Sequence, residues 1–225
     1  LLTGSAIATA WKLRMAALLG AGVAAMLVAN RGIWLGIVML CGAVAIGTLA
    51  WTGHGAMDEA AIGWVHLVAD ILHLIASGAW AGALLGLILL VSRPAARVDA
   101  AHLQRTHRAL HGFGATGTIV VGTIVVTGLV NAWLLIGPSN VVTLGATLYG
   151  RLLLAKLVLF GPMLGLALLN RFRLTPSLER SIAAADRRGA LRTLRLSLAI
   201  ESASIVTILA LVAWLGTLEP PASAM

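Results

Sequence analysis

Apolar positions along this chain run in continuous stretches of about 20 residues or more, separated by short breaks rich in glycine, proline or charge. The pattern predicts six helical spans: about Ser5 to Ala29, Gly32 to Thr52, Ile62 to Val91, Ala109 to Ile136, Leu148 to Leu169 and Leu194 to Thr217. A membrane barrel would instead alternate apolar and polar residues in segments of about 10. The expected fold class is therefore all-α, a polytopic transmembrane helical bundle, with residues 1–225 as a single domain. Pro162 inside the fifth span predicts a kink. Gly78, Gly82 and Gly86, four residues apart, predict a face on which a neighbouring helix can lie close.

Composition agrees with the pattern. Hydrophobic residues make up 60% of the 225 and charged ones only 11%, against roughly 25% charged in a soluble domain. The single cysteine, Cys41, lies mid-span, which excludes a disulfide framework. The net charge of +8 would suit nucleic acid, but the basic residues gather in breaks between spans, so a nucleic-acid role is excluded. Arg31 lies in the first break. The third holds Arg93, Arg97, Arg105 and Arg108, and the fifth holds seven arginines from Arg171 to Arg195. The second break has only Asp58 and Glu59, and the fourth has no charge. Alternate breaks are basic, so they are expected in the cytoplasm and both ends of this chain outside. The chain opens at Leu1 without a charged leader, and we expect a processed chain or one that lacks upstream spans.

Polar groups inside apolar spans are costly, and this marks them as functional candidates. The third span carries His66, Asp70 and His73, whose i, i+4, i+7 spacing puts them on one helix face over about 10 Å of rise. His54 and Met57 lie close to the outer end of that stripe. Imidazole, thioether and carboxylate together suit copper, zinc or iron better than calcium or magnesium. Asp70 is placed to orient a histidine ring or to ligate. The alternative is a polar seam that only joins helices. Arg14, Asn131 and Lys156 fall at similar depth, where Asp70 is the natural partner for a buried cation and snorkelling is the bland option. Glu201 sits about two turns from the inner end of the last span. His102, His107 and His111 fall among arginines and read as a solvated loop. A faint internal repeat joins Ser5-x2-Ala8-x5-Arg14 to Thr147-x2-Gly150-x5-Lys156.

Taken together, these motifs resemble the copper resistance protein D (CopD) family of bacterial inner-membrane proteins. The resemblance rests on Gly53-His54-Gly55, His66-x3-Asp70-x2-His73 with Gly78-x-Trp80-x-Gly82, and Thr127-Gly128. It continues through Thr147-x-Tyr149-Gly150-x5-Lys156, Asn170-Arg171-x2-Leu174-x-Pro176, Glu201 and Pro220-Pro221. It implies copper handling at the inner membrane, about eight spans in a full member, and a periplasmic copper-binding partner of the CopC type. On that basis His54, His66 and His73 would accept copper from outside, with Asp70 orienting or ligating. No GxxxxGK[ST] loop is present, so transport driven by nucleotide hydrolysis within this chain is not expected. A b-type cytochrome is the competing class, with His66 or His73 facing His107 or His111 across haem b. The expected topology sets these pairs at opposite membrane faces.

Overall fold

The computed structural model describes residues 5–27, 32–52, 60–92, 100–177 and 188–221. Among them the regular elements are helices, with no strand. The long ones are α1 (Ala6–Leu27), α2 (Gly32–Gly47), α3 (Ala60–Val91), α4 (Ala100–Ile136), α5 (Leu148–Leu169) and α6 (Arg188–Leu215). Among the described residues six helical stretches are long and apolar enough to cross a bilayer, that of α2 continuing through a 3₁₀ turn to Trp51. Leucine, isoleucine, valine and tryptophan side chains remain widely exposed on all six, as expected of surfaces that face lipid rather than water.

The chain divides into two compact units, Leu1–Gly78 with Gly122–Leu134, and Ala79–Val121 with Leu135–Met225. In the first, α1 and α2 pack along small residues. Ala10, Ala17 and Ala24 are buried, and their spacing of seven returns them to one face every two turns. A Cβ on Gly20 would stand 3.4 Å from Cys41 Sγ, so the cysteine is a packing group here. Against α3, Gly78 sits under Ile46, where a Cβ would come within 2.6 Å of the Ile46 Cδ1. Gly82 and Gly86 have nothing within 4 Å of such a Cβ, so the glycine repeat makes one tight contact rather than a continuous seam.

The second unit contains α5, α6 and the remaining parts of α3 and α4. Gly137, at φ 71°, ends α4, and two short 3₁₀ turns (Pro138–Asn140 and Leu144–Ala146) lead to α5. The Thr147 hydroxyl caps α5 by accepting from the Gly150 N–H at 3.0 Å. A Cβ at Gly150 would fall 1.7 Å from the Leu144 carbonyl oxygen, which makes glycine obligatory there. The helix runs through Pro162 and then widens into a π-turn over Asn170–Leu174.

Two boundaries differ from expectation. The fourth helix begins at Ala100 rather than near Ala109, and the sixth at Arg188 rather than near Leu194. His102, His107 and His111 therefore lie on α4 and not in a loop. Apolar content measures the stretch that must sit in lipid, whereas a helix continues into polar flanks because its backbone hydrogen bonds persist there.

Candidate functional site

The histidine stripe of α3 meets α4 within the first unit. His66 is 3% exposed; Asp70 and His73 are half-buried. Asp70 Oδ1 accepts from Asn131 Nδ2 at 3.3 Å, and His73 Nδ1 lies 3.0 Å from Thr127 Oγ1. Thr127 and Asn131 are four residues apart and so share a face of α4. The Thr127 hydroxyl has one proton, and its shortest acceptor is the Thr123 carbonyl oxygen at 2.5 Å. With its proton on that carbonyl, its oxygen would accept from His73 Nδ1–H, and a neutral ring would then carry its lone pair on Nε2, the nitrogen a metal would use. Gly128 makes room for the ring, since a Cβ there would stand 3.3 Å from His73 Cε1. Asn131 Oδ1 is buried without a hydrogen-bond partner. An orphaned acceptor beside a carboxylate and an oriented imidazole fits a cation as visitor.

The stripe does not close into a single coordination sphere. Among the described residues, no three His, Cys, Asp or Glu side chains converge as a metal-holding group. The cause is helical geometry: seven residues separate His66 from His73, about 10 Å of rise. His54 and Met57 lie outside the described residues. Arg14 is held by Thr48 instead of by Asp70, its Nε donating to Thr48 Oγ1 at 3.1 Å and its Nη2 to the Thr48 carbonyl at 3.0 Å. Thr48 follows the last residue of α2, where exposed carbonyls carry the negative end of the helix dipole and attract a cation. Lys156 is half-buried on α5.

Glu201 belongs to a separate polar cluster in the second unit. It is 1% exposed, and its Oε1 accepts from Asn170 Nδ2 and, at 3.4 Å, from Ser197 Oγ. Asn170 opens the π-turn, and its carbonyl accepts both the Thr175 N–H and, at 2.9 Å, the Thr175 hydroxyl. Thr127, Gly128 and Asn170 are marked in the sequence only by the family motif. Hydroxyl and amide side chains inside an apolar run give no periodic signal, and their partners lie 31 to 54 residues away.

Fold and seam together define a polytopic helical membrane protein that keeps imidazole, carboxylate and amide groups within its spans. Comparison with known families narrows the class. The family description "Copper resistance protein D" matches residues 107–215, and "Copper resistance protein D-like, N-terminal domain" matches residues 1–64. Copper resistance protein D of Pseudomonas syringae pv. tomato is 44% identical over 223 residues, which is 98% of this chain and 71% of that protein. The inner membrane protein YebZ of Escherichia coli K12 is 30% identical over 76% of this chain and 55% of its own length. The copper transport protein CutJ of Bacillus subtilis 168 is 33% identical over 70% of this chain and 26% of its own length. No solved structure matches. The chain belongs to the copper resistance protein D family. The stripe residues His66, Asp70 and His73 fall between the two matched family segments, whereas Thr127, Asn131, Asn170 and Glu201 fall inside the second.

Proposed function

We propose that this chain handles copper in the bacterial inner membrane, accepting the ion from the periplasmic side and passing it inward. The carrying observation is the pairing of His73 Nδ1 with the Thr127 hydroxyl at 3.0 Å: with that hydroxyl donating to the Thr123 carbonyl, a neutral His73 would ligate through Nε2. Asp70 and the unpartnered Asn131 Oδ1 add oxygen donors in the same helix seam. Because His66 lies about 10 Å of rise from His73, the stripe works as successive stations, each of few ligands. Weak, multiple sites suit an ion that must leave as well as enter. His54 and Met57 serve at the outer entrance, where a periplasmic copper-binding protein of the CopC type is the donor. Family membership and the copper-related names of two relatives support the choice of metal.

The deciding experiment is metal analysis with optical spectroscopy on the purified protein and a His54→Ala/His66→Ala/His73→Ala variant. Copper is expected to fall to near zero in the variant. Equal copper content in both would overturn the site. A Soret band lost in the same variant would move the protein to the haem b class, which neither the seam geometry nor the relatives favour.

A further inference from the structure

The Glu201 cluster borders a cavity of about 50 Å³. Its walls include Trp80 and Leu87 from α3, Phe113 from α4, Asn170 and Arg171 following α5, and Glu201. Two of these are strongly buried and unsatisfied. Trp80 is 3% exposed and its indole N–H has no acceptor; Asn170 is 7% exposed and its Oδ1 has no donor. Neither bears on the histidine stripe, and each orphan would cost about 1–3 kcal/mol if nothing filled the space.

The two orphans specify the occupant. A bare cation would satisfy Asn170 Oδ1 but would leave the Trp80 N–H unanswered and share the cavity with the cationic Arg171. An anion would satisfy the N–H but would face the Glu201 carboxyl. A species that can both accept from Trp80 and donate to Asn170 answers both orphans, and water is the smallest one. A water needs roughly 10–15 Å³ of such space, so the cavity has room for about three. Such waters also reach the wall on which Glu201 lies.

We propose that the Trp80–Asn170–Glu201 cavity is a hydrated proton-binding site, the cavity waters exchanging a proton with the Glu201 carboxyl. Loading transfers a proton from a hydronium in the cavity to a Glu201 oxygen and leaves water; unloading reverses it. No co-reactant is needed. The packed elements carry several arginines, among them Arg105 and Arg108 on α4, Arg171 and Arg173 in the π-turn, and Arg192 and Arg195 on α6. Arg171 lines the cavity and donates to Thr118 Oγ1. Arg195, on α6 itself, donates its Nε to the Val91 carbonyl at 2.6 Å. The wall residues from α3 and α4 carry no titratable side chain, and the half-buried His107 stands one turn before Leu110 of the α4 wall. The π-turn serves this arrangement by turning the Asn170 side chain toward Glu201 while its own carbonyl is satisfied by Thr175.

The test is infrared difference spectroscopy of the purified, copper-free full chain in lipid nanodiscs across a pH step, in H₂O and D₂O. A protonated-carboxyl band is expected that changes with pH, moves on transfer to D₂O, and is missing in Glu201→Gln. Trp80→Phe keeps the ring packed against Phe113, edge to face at 6.3 Å, but removes the N–H, so the band should shift in that variant. If Glu201→Gln does not fold, the Trp80→Phe shift and the D₂O response carry the test. A wild-type protein without a titrating carboxyl band, or with one that ignores D₂O and Trp80→Phe, would overturn the proposal, because the cavity would then be dry. Copper is absent throughout, so this outcome and that of the histidine variant are read separately.

Discussion

At the scale of single residues, what turns a polar helix stripe into a candidate ion path is the Thr127 hydroxyl. It bridges the His73 ring and a backbone carbonyl, and in the proposed site it thereby orients the ring for ligation through Nε2. Thr127→Val keeps the shape and removes both bonds. Copper affinity is expected to fall by about 10–100-fold while the protein still folds, because partners that orient a ligand contribute on that scale. Competition titration against a chelator of known affinity reads this, and an unchanged affinity would make Thr127 a packing residue only. Of the site, the sequence made legible the stripe itself, since His66, Asp70 and His73 obey helical spacing. It also flagged Asn131 and Glu201 as polar groups in apolar surroundings. Partners were a different matter: a pairing such as His73 with Thr127 depends on the register of two helices, and apolar helix faces encode register only weakly.

At the scale of elements, the ends of helices are where specificity is concentrated. The Ser5 hydroxyl accepts from the Ala8 N–H at 3.2 Å, and Thr147 does the same for Gly150 at 3.0 Å, so the two halves of the faint internal repeat share one capping geometry. Thr147→Ala should destabilise by about 1 kcal/mol. Gly150→Ala should reach the upper part of the about 1–3 kcal/mol range for overpacking, since its new methyl would fall on a backbone oxygen that cannot rotate away. Thermal unfolding in detergent should rank wild type, Thr147→Ala and Gly150→Ala in falling order of stability, and equal midpoints for wild type and Gly150→Ala would refute the contact. The opposite ends of two helices are tied by arginines from elsewhere, α2 by Arg14 and α3 by Arg195. Element positions were largely legible. The third span ends at Val91 and the fifth runs from Leu148 to Leu169, as the apolar pattern requires. Helical extensions into basic flanks, at Ala100 and Arg188, were not, because apolar content reports the lipid boundary and not the backbone.

At the scale of the whole molecule, the alternation of basic breaks with breaks that lack arginine and lysine predicts a direction. It predicts that Ser139, between α4 and α5, is reached from the periplasm, whereas Ser92, just after α3, is reached from the cytoplasm. In a Cys41→Ala background, Ser139→Cys should react with a membrane-impermeant maleimide in intact spheroplasts, and Ser92→Cys should react only after lysis. The reverse pattern would invert the molecule and place the histidine stripe on the other side. The contact between Arg14 and Thr48 also bears on how the protein enters the membrane. A lone helix carrying Arg14 near its middle is penalised by about 2.5–3.5 kcal/mol on insertion, and Lys12 adds to this. The compensating hydroxyl and carbonyl are on the far side of α2, 34 residues later in synthesis. The first span is thus a poor substrate for lateral release by itself, and the insertion machinery is expected to hold it until α2 has been made, so that the two enter the lipid as one hairpin.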